Sequence, residues 1–143
     1  MDQLLAREPL FASNELFTNA IQRNDYAVPL LKWSEILGWT ESAMNPKESI
    51  SVSHDVSPKA FAVIVDDIYC SDEFKKNTFL IFDPQKLARH GDYVILYQES
   101  TLFFGQLITH NAQSFLIYND RKRIVTSNHR FVGILVESKR SFI

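Results

Sequence analysis

The chain has 143 residues, of which 45% are hydrophobic and 22% are charged. This length and composition predict one globular domain with enough apolar side chains for a core, and they exclude an intrinsically disordered chain. Fifteen lysines and arginines against 17 aspartates and glutamates give a net charge of −2. That balance excludes a protein held on nucleic acid by bulk positive charge.

Several features of the sequence indicate the compartment. No apolar run approaches the roughly 20 residues that span a bilayer. The first ten residues, MDQLLAREPL, lack the basic and apolar regions of a secretion signal. Cys70 is the only cysteine, so no disulfide can form within one chain. No spacing of potential ligands resembles a metal site. We therefore expect a soluble, cytoplasmic protein with no membrane contact, metal or cofactor.

Residues 1–27 have a helical pattern that differs from the rest of the chain, which predicts an N-terminal helical arm. Ser13 is suited to cap a helix, and one short amphipathic helix fits the segment. A helix-turn-helix module needs several helices, so we expect no DNA-binding head. The apolar residues that recur at helical spacing, up to about residue 23, are Leu16, Phe17, Ala20 and Ile21.

Two further segments follow the arm. Residues 28–39, VPLLKWSEILGW, are apolar with a proline near the start. Residues 40–57 are polar and rich in serine, which predicts an exposed loop or an extended arm.

From Phe61 onward the chain has the pattern of short β-strands. Six segments rich in β-branched and aromatic residues are separated by polar residues, which predicts a mostly β fold, a compact and largely antiparallel barrel or sandwich. Only four glycines are present, which predicts longer loops instead of tight two-residue hairpin turns. The six segments are FAVIV (61–65), TFLIF (78–82), DYVILYQ (92–98), TLFFGQL (101–107), SFLIY (114–118) and FVGILVE (131–137).

Three parts of the chain together match a known pattern. In order and spacing they resemble the C-terminal domain of LexA-like repressors and phage repressors, the self-cleaving serine–lysine peptidases. UmuD-type polymerase subunits share that domain without a DNA-binding head. The resemblance covers residues 28–137 and implies a LexA-type β domain over residues 28–143. The matching parts are Val28-Pro29 followed by Trp33, then SPKAFAVIVDDIYCSDEFKKNTFLIFDP (57–84), then GDYVIL (91–96) with LFFGQL (102–107) and FVGILVE (131–137).

The resemblance also implies that the catalytic pair is lost. The family holds its serine nucleophile in a Gly-Asp-Ser-Met turn, and a lysine from a later strand acts as the base. A gapless alignment places Tyr69 at the serine, Asp67-Ile68 at Gly-Asp, and Cys70 at the methionine. Gly105 falls at the lysine. A tyrosine phenol with a pKa near 10 is a poor nucleophile for amides, and glycine has no amine to act as a base.

The scissile bond departs from the family pattern as well. The family cleaves its own chain at an Ala-Gly or Cys-Gly bond after the Val-Pro pair. The same register gives Ile36-Leu37 here, followed by Gly38. Nucleophile, base and cleavage segment are all degenerate, so we interpret the domain as a pseudo-peptidase with no catalytic residue.

Other residues are candidates for an alternative nucleophile or base. Cys70 or Ser71 would become the nucleophile if the register slipped by one or two positions. The matching segments on both sides argue against a slip, and we expect Cys70 to be structural. The histidines are scattered through loop-like segments, where solvated side chains are the expectation. They are His54, His90, His110 and His129.

Charged clusters are interpreted as structural features. Asp66 and Asp67 directly follow a predicted strand and have no third acidic partner, which predicts a turn. The two basic clusters are expected to be solvated turns, with no direct contact to nucleic acid, because the net charge is negative. They are Lys75-Lys76 and Arg121-Lys122-Arg123.

Aromatic residues are expected to fill the vacated cleft. Tyr69 is interpreted as a plug, or alternatively as a group that contacts a peptide or ligand at the mouth of the cleft. Phe103 and Phe104 are adjacent, so in a strand they point to opposite faces. One of them is expected in the core, and the other covers the floor of the old site or contributes to an interface.

The resemblance further implies dimerisation through the C-terminal strand region. An apolar strand there would pair with its equivalent in a second copy and remove an exposed edge. The alternative is an interior strand of the same domain. The residues concerned are Phe131, Val132, Gly133, Ile134, Leu135 and Val136.

These inferences lead to one main hypothesis and two alternatives. The chain is a non-catalytic regulatory module that forms homodimers, or heterodimers with a LexA-like or phage-type repressor, and antagonises repression. The first alternative is a UmuD-like accessory subunit in the DNA-damage (SOS) response. The second is a residual self-cleaving peptidase that uses Cys70 or Ser71.

Overall fold

The computed structural model describes residues 26–41, 47–53, 55–66 and 73–140. The helix expected between residues 13 and 23 lies outside the described residues. Within them, nine strands, one α-helix and one 3-10 turn follow each other along the chain. They are β1 (Tyr26–Pro29), the 3-10 turn (Trp33–Glu35), α1 (Ile36–Glu41), β2 (Ser49–Val52), β3 (Phe61–Ile64), β4 (Thr78–Asp83), β5 (Tyr93–Gln98), β6 (Thr101–His110), β7 (Gln113–Tyr118), β8 (Arg121–Ile124) and β9 (His129–Arg140).

Seven of these strands form one antiparallel sheet in the order β3-β4-β9-β5-β6-β7-β8, and β1 pairs with β2 in a separate ribbon. The mostly β, antiparallel fold expected from the sequence is confirmed. The large sheet has two edges, β3 and β8, so it does not close into a barrel. The short helix that the structure describes is α1, which lies within the apolar segment 28–39 and just beyond it.

The six segments predicted as strands all lie in strands of the sheet. Three hairpin turns, however, are tight two-residue turns, and the expectation of longer loops was wrong. Both residues have positive φ in the turns Glu99-Ser100, Asn111-Ala112 and Asn119-Asp120. This conformation suits the right-handed twist of a two-stranded hairpin. None of the six residues is glycine, although asparagine and aspartate tolerate the left-handed region better than most residues.

The sheet is buried on both faces near β3 and β4. Successive residues of a strand point to opposite faces, so Phe61 and Phe82 belong to one core cluster while Ala62 and Ile81 belong to another. The first cluster is covered by α1 through Ile36, and the second by the β1–β2 ribbon. A third cluster is formed by residues of β5, β6, β7 and β9: Val94, Leu96, Leu107, Leu116 and Ile134.

The strand expected to form a dimer contact is an interior strand. β9 lies between β4 and β5 and is hydrogen-bonded to both. Its residues Val132, Gly133 and Ile134 are buried within the chain. Residues 129–134 pair with β5 and residues 134–140 pair with β4, so β9 has the alternative position given above, an interior strand of the same domain. A dimer contact of residues 131–136 stays a prediction.

A buried carboxylate fixes the loop that precedes β3. Asp83 is 2% exposed, and its two oxygens accept hydrogen bonds from the Ser57 amide (3.0 Å), the Ser57 hydroxyl (2.5 Å) and the Gln85 amide (3.0 Å). Burial raises the pKa of Asp83, but these hydrogen bonds and the nearby charge of Lys86 outweigh burial, and the pKa is lowered overall. The aspartate of the FDP segment therefore has a structural role.

Replacing Asp83 with alanine is expected to lower the free energy of unfolding at pH 7 by about 2 kcal/mol, because three partly buried hydrogen bonds to a charged acceptor are lost. The matched control is Asp55→Ala, which removes an exposed carboxylate and should cost less than about 0.5 kcal/mol. Urea unfolding followed by tryptophan fluorescence measures both. Equal losses in the two variants would contradict the assigned role.

The same contribution is expected to depend on pH. Because folding lowers the pKa of Asp83, its stabilisation is present above the pKa of the unfolded chain, about 3.9. It is lost as the pH falls through the lower folded value. The difference in stability between wild type and Asp83→Ala should therefore shrink below a pH of about 4 in unfolding curves recorded across that range. A difference that stays constant would rule out the ionised carboxylate as its source.

Candidate functional site

An apolar groove of about 620 Å³ lies beside the end of β3. One wall is the segment from Leu30 to Glu35, and the other includes β3 and Asp66. Its floor is formed by side chains of the first core cluster and by one residue of β6: Val63, Leu80, Phe82 and Phe104. This volume is in the range of ligand-binding clefts, so the groove is the candidate functional site.

The last described residue before the position that the resemblance assigns to the nucleophile belongs to the groove. Asp66 lines the groove, and the next residue along the chain begins the segment that contains Tyr69. Tyr69 itself lies outside the described residues, as do Asp67, Ile68, Cys70 and Ser71. The plug and the alternative nucleophiles therefore stay predictions.

Gly105, which the resemblance places at the family lysine, lies in β6 opposite Val94 of β5. A Cβ atom at this position would lie 3.0 Å from the carbonyl carbon of Ile117 and 3.0 Å from Cβ of Tyr118, and closer still to the Ile117 oxygen. The backbone of β7 therefore occupies the space that any side chain would need. A lysine cannot be accommodated here without moving two strands.

The residue before Gly105 forms the floor of the groove. The Phe104 ring lies 5.4 Å from the ring of Phe74, 5.6 Å from that of Phe82 and 6.1 Å from that of Tyr93. Phe103 points to the other face, where its ring lies 5.4 Å from that of Tyr118. The expectation that the two phenylalanines face opposite sides is confirmed. Phe104 packs against the core and also covers the floor of the groove.

Tyr93 extends this aromatic cluster toward Glu73. Its ring meets that of Phe74 edge-on at 4.9 Å. Burial raises the pKa of the Tyr93 phenol, and the charge of Glu73 and a hydrogen bond with it raise it further. The phenol therefore keeps its proton at neutral pH and donates a hydrogen bond to Glu73, which makes Tyr93 a structural partner of the cluster and a poor nucleophile.

The degenerate cleavage segment is helical. Ile36, Leu37 and Gly38 all lie in α1, where Ile36 is fully buried and Leu37 packs against the first core cluster. The helix is fastened by Trp39, whose indole donates to the Lys59 carbonyl at 2.9 Å while the Lys59 ammonium donates to the Trp39 carbonyl at 2.8 Å. This segment is thus folded into the core and not presented as an extended strand.

None of the three histidines that the structure describes lines the groove. His90 accepts a hydrogen bond from the Thr109 amide through Nδ1 at 2.9 Å, His110 is exposed at the end of β6, and the His129 ring packs edge-on against that of Phe131 at 4.9 Å. His54 lies outside the described residues. In the ranges that the structure describes, no group of three or more histidine, cysteine or acidic residues could hold a metal ion.

The second basic cluster is a strand and not a turn, which corrects the sequence interpretation. Arg121, Lys122 and Arg123 form most of β8, the outer edge strand. The Arg123 guanidinium is 2.9 Å from the Glu99 carboxylate and lies over the Phe103 ring, while the Lys122 ammonium lies over a second aromatic ring. In the first cluster, Lys75 and Lys76 are exposed just before β4, and Lys76 lies in the turn that leads into it.

Comparison with known proteins gives a distant match. No family model matches the chain. It is 22% identical, over 156 aligned positions, to a protein described as an uncharacterized HTH-type transcriptional regulator from Coxiella burnetii. The alignment covers 100% of this chain and 72% of that protein. The similarity is to a transcriptional regulator. It agrees with the class of repressor that the sequence resembles, at that coarse level.

Sequence reasoning missed several residues of the groove. Lys32, Glu35, Lys47 and Glu48 all line it, but two of them lie in a segment interpreted as apolar and two in a segment interpreted as an exposed loop. Their position depends on β1 and β2, which bring these segments together. Among the described residues, no helix is long and apolar enough to cross a membrane.

Gly105→Ala is expected to lower the free energy of unfolding by about 1–3 kcal/mol, because a Cβ atom would push β6 away from β7. The control is His110→Ala in the same strand, where the side chain is exposed and the cost should stay within about 0.5 kcal/mol. Thermal or urea unfolding of the three proteins makes the comparison. A neutral effect of Gly105→Ala would show that the strands can separate enough to admit a side chain.

Proposed function

We propose that this chain is a regulatory module without peptidase activity, related to the C-terminal domains of LexA-like and phage repressors. It acts as a homodimer or as a heterodimer with such a repressor. The observation that carries the proposal is the close approach of Gly105 to the carbonyl of Ile117, together with the distant similarity to a transcriptional regulator.

The absence of a side chain at Gly105 bears directly on the chemistry. A lysine base must be surrounded by apolar groups that remove water from its amine. The lysines that line the groove, Lys32 and Lys47, are both exposed. The floor of the groove is instead made of Phe104 and other apolar side chains. This arrangement supports a cleft that binds without cleaving.

The helical conformation of the degenerate cleavage segment supports the same conclusion. A peptide bond is attacked when it lies extended across a cleft, where both faces of its carbonyl can be approached. Ile36 and Leu37 instead lie in α1, and the Ile36 side chain is fully buried. Cleavage would require the helix to unfold and the Trp39–Lys59 hydrogen bonds to break.

Dimerisation, if it follows the relatives, would use side chains and not the backbone of β9. The edge strands of the sheet are β3 and β8. On the outer strands Ile117 and Ile124 are 38% and 51% exposed, so apolar surface is present at the β8 end. A heterodimer with a repressor would then have one DNA-binding head, from the repressor, because this chain has no helix-turn-helix among its described residues. Such a complex would contact one operator half-site instead of two.

One test of this proposal concerns catalysis. The intact mass of the purified chain is expected to stay constant during overnight incubation at neutral and alkaline pH, because no lysine is buried in the part of the chain that the structure describes. A fragment pair that results from cleavage near residues 36–38 would contradict the proposal. Loss of that cleavage in Cys70→Ala or Ser71→Ala would then assign the nucleophile and establish a residual peptidase.

Another test of this proposal concerns assembly and regulation. Sedimentation velocity is expected to give a dimer, and stoichiometric addition of the chain to a LexA-like or phage-type repressor should weaken operator binding several-fold in a gel-shift titration. The isolated DNA-binding head of the same repressor is the control, and its binding should not change. An unaffected intact repressor would overturn antagonism. Capture of a DNA-damage polymerase and no repressor would indicate the accessory-subunit role instead.

A further inference from the structure

The side chain of Gln98 bonds to the open edge of β8. Gln98 is the last residue of β5 and is 2% exposed. Its Nε2 donates to the Ile124 carbonyl at 3.1 Å, and its Oε1 accepts from the Thr126 amide at 3.0 Å. Between them, the Val125 amide donates to the Ser114 carbonyl of β7 at 2.9 Å. Because backbone groups alternate in direction along a strand, this one glutamine bonds to the outer side of the chain as a neighbouring strand would.

Arg123 makes a second contact between β8 and the turn that follows β5. Its guanidinium is 2.9 Å from the Glu99 carboxylate and 4.0 Å from the centre of the Phe103 ring. Leu116, which pairs with Arg123 across β7 and β8, is fully buried in the third core cluster. Directly paired residues share a face of the sheet. The Arg123 side chain therefore covers one side of that cluster while its charged end reaches the turn.

The turn that receives these contacts has a backbone conformation that its residues rarely adopt. Glu99 and Ser100 both have positive φ, at 55° and 60°. Neither is glycine, asparagine or aspartate, which adopt the left-handed region most readily. Backbone of this kind persists where the surrounding contacts hold it. Because Gln98 directly precedes the turn and Glu99 belongs to it, release of both contacts would also let the turn relax.

We propose that Gln98 and Glu99 form a clasp that holds β8 and residues 125–128 over the third core cluster, and that this part of the chain opens as a unit when the clasp is released. β8 has four residues and pairs with a strand on one side only. Without the clasp, few contacts would oppose its local opening. Opening would uncover the outer edge of β8 and the apolar side chains beneath Arg123.

The clasp is separate from the candidate functional site. The groove lies on the face of the sheet to which Phe104 points, whereas Arg123 lies over Phe103 on the other face. Opening of β8 would therefore leave the floor of the groove in place. The clasp goes beyond the proposed function and does not depend on it.

Amide hydrogen exchange, followed residue by residue by NMR on the full chain, tests the clasp. Under conditions in which exchange follows the opening equilibrium, Gln98→Ala should raise the rates of residues 121–126 at least about tenfold, because two hydrogen bonds are lost. Rates in β4 should change much less. The matched control is Gln113→Ala, which removes an exposed glutamine on β7 and should change the rates of residues 121–126 by less than about twofold.

Two results of this experiment would overturn the proposal. An equal rise of the exchange rates in all strands would show that the chain opens only as a whole. Unchanged rates over residues 121–126 would show that Gln98 does not hold them.

Milder variants test the second contact while Gln98 stays intact. Glu99→Gln and Arg123→Met should each raise the rates of residues 121–126 about two- to fivefold, the range expected for an exposed ion pair. The double variant should match Arg123→Met alone, because both changes break the same pair. Arg121→Met is the matched control on the same strand, where the side chain is exposed. Fully additive effects, or an equal rise in Arg121→Met, would overturn the part assigned to Glu99.

Added salt tests the same pair in the unaltered chain. The Arg123 and Glu99 side chains are 27% and 70% exposed, so salt screens their attraction. In about 1 M NaCl the rates of residues 121–126 should rise about twofold relative to those in β4. This difference should disappear in Glu99→Gln. The same response in both proteins, or no response in the unaltered chain, would contradict a clasp that includes this ion pair.

Discussion

The pairing of β9 on both sides is the constraint on which the rest of the structure depends. Its 12 residues join β3 and β4 on one side to the meander β5 to β8 on the other. Register shifts occur against β4 between Leu135 and Glu137, and against β5 between Phe131 and Gly133. Extra residues of this kind increase the local twist of a sheet. Gly133 lies at this point because a Cβ atom there would come within 2.8 Å of Cβ of Phe82.

This central strand explains why the groove is built from both halves of the sheet. Val63 and Leu80 come from the β3–β4 half, whereas Phe104 comes from β6, beyond β9 and β5. The Phe104 ring reaches that of Phe82 at 5.6 Å, across two intervening strands. The same packing leaves Gly105 on the opposite face, against the backbone of β7. The apolar floor and the lack of a lysine are therefore two consequences of how β6 lies in the sheet.

Much of the sheet could be predicted from the sequence, because its strands alternate or concentrate β-branched and aromatic residues. The short strands β1, β2 and β8 were missed. Residues 49–52 alternate serine with isoleucine and valine, but only over four positions within a polar, serine-rich segment, and residues 121–124 are mostly basic. The tight turns were missed because a count of glycines ignores the residues that replace glycine, such as Asn111 and Asn119, which adopt positive φ. The interior position of β9 depends on long-range pairing that local sequence does not specify.

The candidate site, too, was predicted only in part from the sequence. From the sequence, the only predicted defect at Gly105 was that glycine has no side-chain amine to act as a base. The structure adds a steric reason, since β7 lies so close to β6 that a side chain at position 105 would collide with the backbone of Ile117. A domain that had lost only its base could regain activity by one substitution. In this chain a new base would also need β6 and β7 to separate, which links the proposed loss of catalysis to the packing of the sheet.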